Sequence, residues 1–170
     1  MAPAQWVSPR TRALFAHLVL ARGRPVHADT LCESHFPHLP LERARVNLQT
    51  TVSAVRRSLR AAFGNPVGDW IHHESGLYRW APPHGWVADA FEFERIAQEA
   101  LALNELDARE ARLHDALRLY QGDLCPEFSE EDWCQPDAQR LRTLYLECLL
   151  MLGQIASVKE QHHEVIEYCE

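Results

Sequence analysis

The stretch Leu41–Phe63, LERARVNLQTTVSAVRRSLRAAF, decides how the first half of this 170-residue chain is read. Apolar residues fall at Ala44, Leu48, Val52, Val55, Leu59 and Ala62, in alternating steps of three and four, which predicts one long amphipathic helix. At about 100° per residue the opposite side carries Arg43, Val46, Asn47, Thr50, Ser53 and Arg57. One flank carries Arg45, Gln49, Arg56 and Arg60. Glu42 is the only acid, and it sits near the N-terminus, where the helix dipole favours it. A helix fits the major groove of DNA, and Arg, Asn, Gln, Thr and Ser are the side chains that hydrogen-bond to phosphates and base edges. The plainer reading of the same pattern is a surface helix whose arginines are simply solvated.

The flanking sequence favours the first reading. Upstream, Ser8-Pro9 is a good helix start, with Ser as N-cap and Pro at the first helical position. Leu14, Leu18 and Ala21, with Phe15 alongside, continue that helix to Gly23. A tight Gly23-Arg24-Pro25 turn leads to a second helix from about Ala28 to Phe36, burying Leu31, Cys32 and Phe36, and Pro37 and Pro40 mark its exit. In a helix-turn-helix, the preceding helix braces the recognition helix over the DNA backbone. Downstream, Gly64-Asn65-Pro66 stops the long helix. Trp70–Trp80 then reads as a β-hairpin turning at Glu74-Ser75-Gly76, a wing on which Arg79 reaches toward an adjacent groove or phosphate. Pro82-Pro83 closes the unit, and a domain boundary is expected near His84.

The second half reads as all-helical. Asp89 with Glu92 resembles a capping box, followed by the stripe Phe93, Ile96, Ala97, Ala100 and Leu101. Asp107 with Glu110 repeats the signal, with Leu113, Ala116, Leu117 and Tyr120 as the stripe and Gly122 as the stop. After the acidic loop Glu127–Asp132, Pro136 begins a long helix with Ala138, Leu141, Leu144, Tyr145, Cys148, Leu149, Leu152 and Ile155 on one broad face. A last helix is expected near Glu160, burying Val165 and Ile166 and cut off at Glu170. Antiparallel pairs of this length predict a helical-repeat stack that ends in mid-repeat. The expected fold is therefore mainly α: a winged helix-turn-helix with a small hairpin wing over 1–84, then an all-α tetratricopeptide-like domain over 85–170.

Charge divides at the same place. The net charge of −7 alone argues against nucleic acid, but residues 1–85 hold ten arginines against five acids, a net +5, and residues 86–170 carry −12. Such asymmetry marks a nucleic-acid-facing module joined to something else. Cys32, Cys125, Cys134, Cys148 and Cys169 are odd in number and widely spaced, as expected of reduced, mostly buried thiols rather than a disulfide framework or zinc site. The ten histidines show no metal-ligand spacing: His35 and His38 are separated by Pro37, and the pairs His72-His73 and His162-His163 diverge on any regular element. No nucleophile elbow, Walker loop or dinucleotide fingerprint is present, so neither an enzyme nor a cofactor is expected. No secretory signal is read at the N-terminus, and no apolar run approaches the ~18 residues of a membrane span, so the expected location is cytoplasmic, without membrane contact.

Both halves together resemble the SARP family (Streptomyces antibiotic regulatory proteins) and its relatives. The resemblance rests on Arg10–Leu20 with Gly23-Arg24-Pro25-Val26, on Ala44–Leu59 as recognition helix, and on Gly76-Leu77-Tyr78-Arg79 of the wing. In the second half it rests on Leu119–Leu124 (LYQGDL) and Arg140–Glu147 (RLRTLYLE). It implies an OmpR-type winged helix joined to a bacterial transcriptional activation domain. It also implies a small β-sheet ahead of the first helix, which is expected to be missing here because only Met1–Val7 precede it.

The implied function is sequence-specific binding of double-stranded promoter DNA and activation of transcription. The helical domain would then mediate homodimerisation or contact RNA polymerase. Asn47, Gln49, Thr50 and Ser53 are expected near base edges. Arg43, Arg45, Arg56, Arg57 and Arg79 are expected at phosphates, unless one of them reads a guanine. The rival reading is a protein-interaction module of a larger signalling protein, whose winged helix meets an acidic protein rather than DNA.

Overall fold

A computed structural model describes residues 6–64 and 70–159. They form two compact units: Met1–Trp86 with Glu131–Cys134, and Val87–Glu130 with Gln135–Glu170. The reading from sequence placed all of 85–170 in the second domain, whereas the four-residue segment Glu131–Cys134 belongs to the first unit.

The first unit is built on α1 (Pro9–Leu20), α2 (Ala28–His35) and α3 (Leu41–Phe63). Ser8 caps α1, its extended backbone placing Oγ to accept from the Thr11 amide at 3.2 Å, with Pro9 at the first helical position. The periodicity of α3 translates directly into burial: Ala44, Leu48, Val52, Val55 and Leu59 lie in the core with Leu14 and Leu18 of α1 and Leu31 of α2. The sheet is larger than the expected hairpin. Strand β2 (Ile71–Glu74) and strand β3 (Leu77–Trp80) pair antiparallel, and a short β1 (Val26–His27) pairs with the other edge of β3, giving the order β1-β3-β2. Ser75 and Gly76 both have positive φ, 50° and 78°, the conformation of a two-residue type I′ turn that matches strand twist. Two residues at β1 are too few to show an alternation, so this strand was invisible in the sequence. Trp80 packs edge-on against Phe15, Trp70 and Trp86, tying the sheet to α1.

A further contact inside this unit was not anticipated. His17 of α1 and His35 of α2 are both buried, and His17 Nδ1 lies 3.1 Å from His35 Nε2. Trp133, from the segment Glu131–Cys134, stacks on His17 with ring planes 7° apart and lies 5.6 Å from His35. Burial pushes the His17 imidazole down to about 4 and that of His35 to about 3, the latter helped by His17 and Arg10, so the pair is neutral near pH 7. His35 is thus partnered by a residue of another helix, not by the neighbouring His38.

The second unit contains α4 (Asp89–Ala102), α5 (Leu106–Leu117), a 3-10 turn at Pro126–Phe128 and α6 (Gln135–Val158). Its core joins Phe93, Ala97 and Ala100 of α4, Leu113 and Ala116 of α5, and Leu141, Cys148, Leu152 and Ile155 of α6. Two helix starts differ from expectation. Ala88, not Asp89, is the N-cap of α4, and Asp89 accepts from the next amide instead. Glu105 caps α5, accepting from the amides of Asp107 and Ala108. α5 also ends at Leu117, so Tyr120 lies beyond it, stacked on Tyr145 at 4.2 Å. By length and composition α6 meets the criterion for a membrane span that the sequence reading found nowhere. Its buried residues are the spine of this core. The helix expected near Glu160, with Val165 and Ile166, lies outside the described residues, as do Asn65 and Pro66.

Cys32, Cys134 and Cys148 are buried thiols, and the Cys125 thiol is half-buried. Burial pushes the Cys148 thiol up to about 11.

Candidate nucleic-acid interface

Helix α3 is exposed very differently along its length. In its first half, from Leu41 to Thr50, only Ala44 and Leu48 are buried. In its second half Val52, Ala54, Val55, Ser58 and Leu59 are all buried, so the core grips it over a wider arc. The first half therefore projects from the unit; in helix-turn-helix proteins the N-terminal part of the recognition helix is the part that contacts base edges.

The nine candidate residues separate into three groups. Arg43, Arg57 and Arg79 are exposed, and their guanidinium groups make no hydrogen bond or ion pair among the described residues. Arg43 and Arg57 stand on the outer face of α3, and Arg79 stands on β3 of the wing, opposite His72. Arg45 and Arg56 are engaged within the protein. Arg45 grips Asp29 of α2 through Nε at 3.1 Å and Nη2 at 2.9 Å, and lies 3.6 Å from Glu42. Arg56 donates from Nη2 to the Ile71 carbonyl at 2.7 Å, bracing α3 against β2. These two were expected at phosphates; in the structure their guanidinium groups hydrogen-bond within the protein, to Asp29 and to the Ile71 carbonyl.

The third group is polar and turned inward. Asn47 Nδ2 donates to the Arg43 carbonyl at 2.9 Å, Thr50 Oγ1 to that of Val46 at 3.0 Å, and Ser53 Oγ to that of Gln49 at 2.9 Å. Thr51 does the same toward Asn47 at 2.8 Å. Such back-bonding is what short polar side chains do on a helix facing water, and a base edge must compete with it. Gln49 alone of the four base-edge candidates makes no side-chain hydrogen bond among the described residues, and it is exposed.

Electrostatics on this face come from the guanidinium groups. Glu42 is the only acid on α3, and it is drawn toward Arg45 rather than toward the outer face. Cationic groups outnumber acids on this face, on which Glu42 is exposed beside Arg45, so its balance favours an anion.

Comparison with known proteins gives this architecture a class. Residues 88–170 match the model of the bacterial transcriptional activator domain, so the fold is a winged helix followed by a domain of transcriptional regulators. The chain belongs to the SARP-type transcriptional regulators. It is 31% identical over 125 residues to the regulatory protein DnrI of Streptomyces peucetius, covering 69% of this chain and 45% of DnrI. It is 27% identical over 135 residues to the transcriptional regulatory protein EmbR of Mycobacterium tuberculosis, covering 79% of this chain and 35% of EmbR. The chain thus spans less than half the length of either relative. Among solved structures it resembles Mycobacterium tuberculosis EmbR in complex with a low-affinity phosphopeptide. That match has a TM-score of 0.77 at 23% identity and covers 98% of this chain and 44% of that one.

Proposed function

We propose that this chain binds promoter DNA in the cytoplasm through the first half of α3 and activates transcription. The observation that carries the reading is the set of exposed guanidinium groups of Arg43 and Arg57 on α3 and Arg79 on the wing, unpartnered among the described residues. Arg57 and Arg79 are assigned to phosphates, which fix the register of the helix on the duplex without reading sequence. Arg43 and Gln49 are assigned to the groove floor, Gln49 because its amide suits an adenine edge. Asn47, Thr50 and Ser53 join them after exchanging a carbonyl of their own helix for a base or a bridging water. The second unit, acidic and helical, is assigned to RNA polymerase or to a second copy of the chain.

Fluorescence anisotropy with promoter fragments at two salt concentrations tests this reading. Binding that weakens steeply with salt, by a slope of about 0.9 per neutralised phosphate, and that prefers direct repeats supports it. No binding at low salt favours an acidic protein as the partner of the winged helix. Within the DNA reading, Gln49→Ala is expected to relax sequence preference while leaving the salt slope unchanged.

A further inference from the structure

We propose that Val46 reads a thymine through its C5-methyl group, making one T·A pair a specificity determinant of the DNA site. This rests on the DNA-binding reading above. Val46 is 63% exposed, more than any other large apolar residue described in the first unit. A lone exposed valine is ordinary on a protein surface. The position of Val46 is what sets it apart. With about 100° per residue it falls within about 20° of the direction opposite the buried stripe, on the half of α3 that projects from the core. Its neighbours three and four residues away along the helix are Glu42, Arg43, Gln49 and Thr50, all exposed.

The neighbouring polar atoms strengthen the case. The hydroxyls of Thr50 and Ser53 and the amide nitrogen of Asn47 are turned onto carbonyls of α3 itself. What this stretch offers outward is therefore the apolar surface of Val46 between the Arg43 guanidinium and the Gln49 amide. In the major groove the one apolar feature of any base pair is the thymine C5-methyl, which small apolar side chains contact. Valine gains nothing for an exposed helix position by propensity, since its branched side chain loses rotamer freedom there. Burying one methyl group against it is expected to be worth a roughly three- to five-fold change in affinity.

Deoxyuridine lacks only that methyl group, so it isolates the contact. The experiment takes the full chain and a DNA site obtained by selection, replaces each thymine singly by deoxyuridine, and measures affinity for wild type and Val46→Ala. The proposal expects one position where wild type loses about three- to five-fold, and where V46A binds thymine and deoxyuridine alike. Circular dichroism of V46A is expected to match wild type, because the side chain is on the surface. Identical deoxyuridine profiles for the two proteins overturn the Val46 assignment while leaving DNA binding intact. Failure of wild type to bind any selected DNA overturns the DNA reading itself, a distinct result.

Discussion

The two units differ in how they use arginine on the surface. In the second unit Arg95 bridges Glu92 and Glu99, Arg112 bridges Glu99 and Asp115, and Arg118 pairs with Asp115 at 2.8 Å. Arg140 meets Glu94 and Asp137, Arg142 lies 3.6 Å from Asp123, and Lys159 meets Asp107 and Glu110. In the first unit Arg43, Arg57 and Arg79 have no such partner among the described residues. Exposed ion pairs stabilise a fold only slightly, so the lattice of the second unit chiefly neutralises its own cations and leaves a surplus of acid facing outward. A guanidinium left unpaired keeps its full charge for a ligand. Pairing adds to net charge as the ground on which the first unit is proposed to meet DNA.

The contrast is most easily broken by removing charges from each side. Replacing Arg43, Arg57 and Arg79 together by alanine is expected to abolish specific binding at physiological salt and to lower the salt slope by about 1.8, for the two phosphate contacts of Arg57 and Arg79. The matching variant of Arg95, Arg112 and Arg118 should leave DNA affinity unchanged in the same anisotropy assay. Equal losses from the two variants would erase the distinction between the units.

Arg56→Ala sharpens the contrast within the first unit. Losing the bond to the Ile71 carbonyl, at a half-buried site, is expected to cost about 1–3 kcal/mol in urea denaturation. Its effect on DNA affinity should follow from a loosened wing and not from a lost phosphate contact, so the salt slope is expected to stay near the wild-type value.

The His17–His35 pair predicts an acid-sensitive first unit. Both imidazoles are neutral when folded, with folded values near 4 and 3 against an ordinary 6.5, so the unfolded chain binds more protons between these limits. Their contribution is complete above pH 6.5 and is lost as the pH falls toward 4. Each of the two histidines is expected to cost about 1.4 kcal/mol per pH unit in that window. Trp133 fluorescence followed against pH reports the same event, because its ring stacks on His17. A double variant, His17→Phe with His35→Leu, should flatten the dependence, and an unchanged slope would count against the pair as its origin.

The smallest effect is expected for Arg45→Ala. Its exposed grip on Asp29 positions α3 on α2 but leaves the outer face untouched. DNA affinity should stay within about two-fold of wild type.

Much of this architecture was legible because it is periodic or local. The limits of α3 and the Ser8-Pro9 start of α1 follow from steps of three and four and from cap chemistry, and the structure has them where the sequence put them. The hairpin turn at Ser75-Gly76 is equally local. What was not legible depends on chain segments far apart meeting in space. β1 needs β3 to exist, and Trp133 needs His17. Arg45 and Arg56 look like any other arginine on an outer flank until Asp29 and the Ile71 carbonyl are placed beside them. The helix starts at Ala88 and Glu105 were missed for a smaller reason: several acids lie near each start, and the pattern alone does not rank them.

The central claim is that the unpaired guanidinium groups of Arg57 on α3 and Arg79 on the wing meet DNA phosphates. Its most direct test is the salt dependence of promoter binding by wild type and Arg57→Ala. The account predicts weaker binding to every sequence tried and a slope smaller by about 1 for the variant. Unchanged affinity for a cognate promoter, with an unchanged slope, would contradict it.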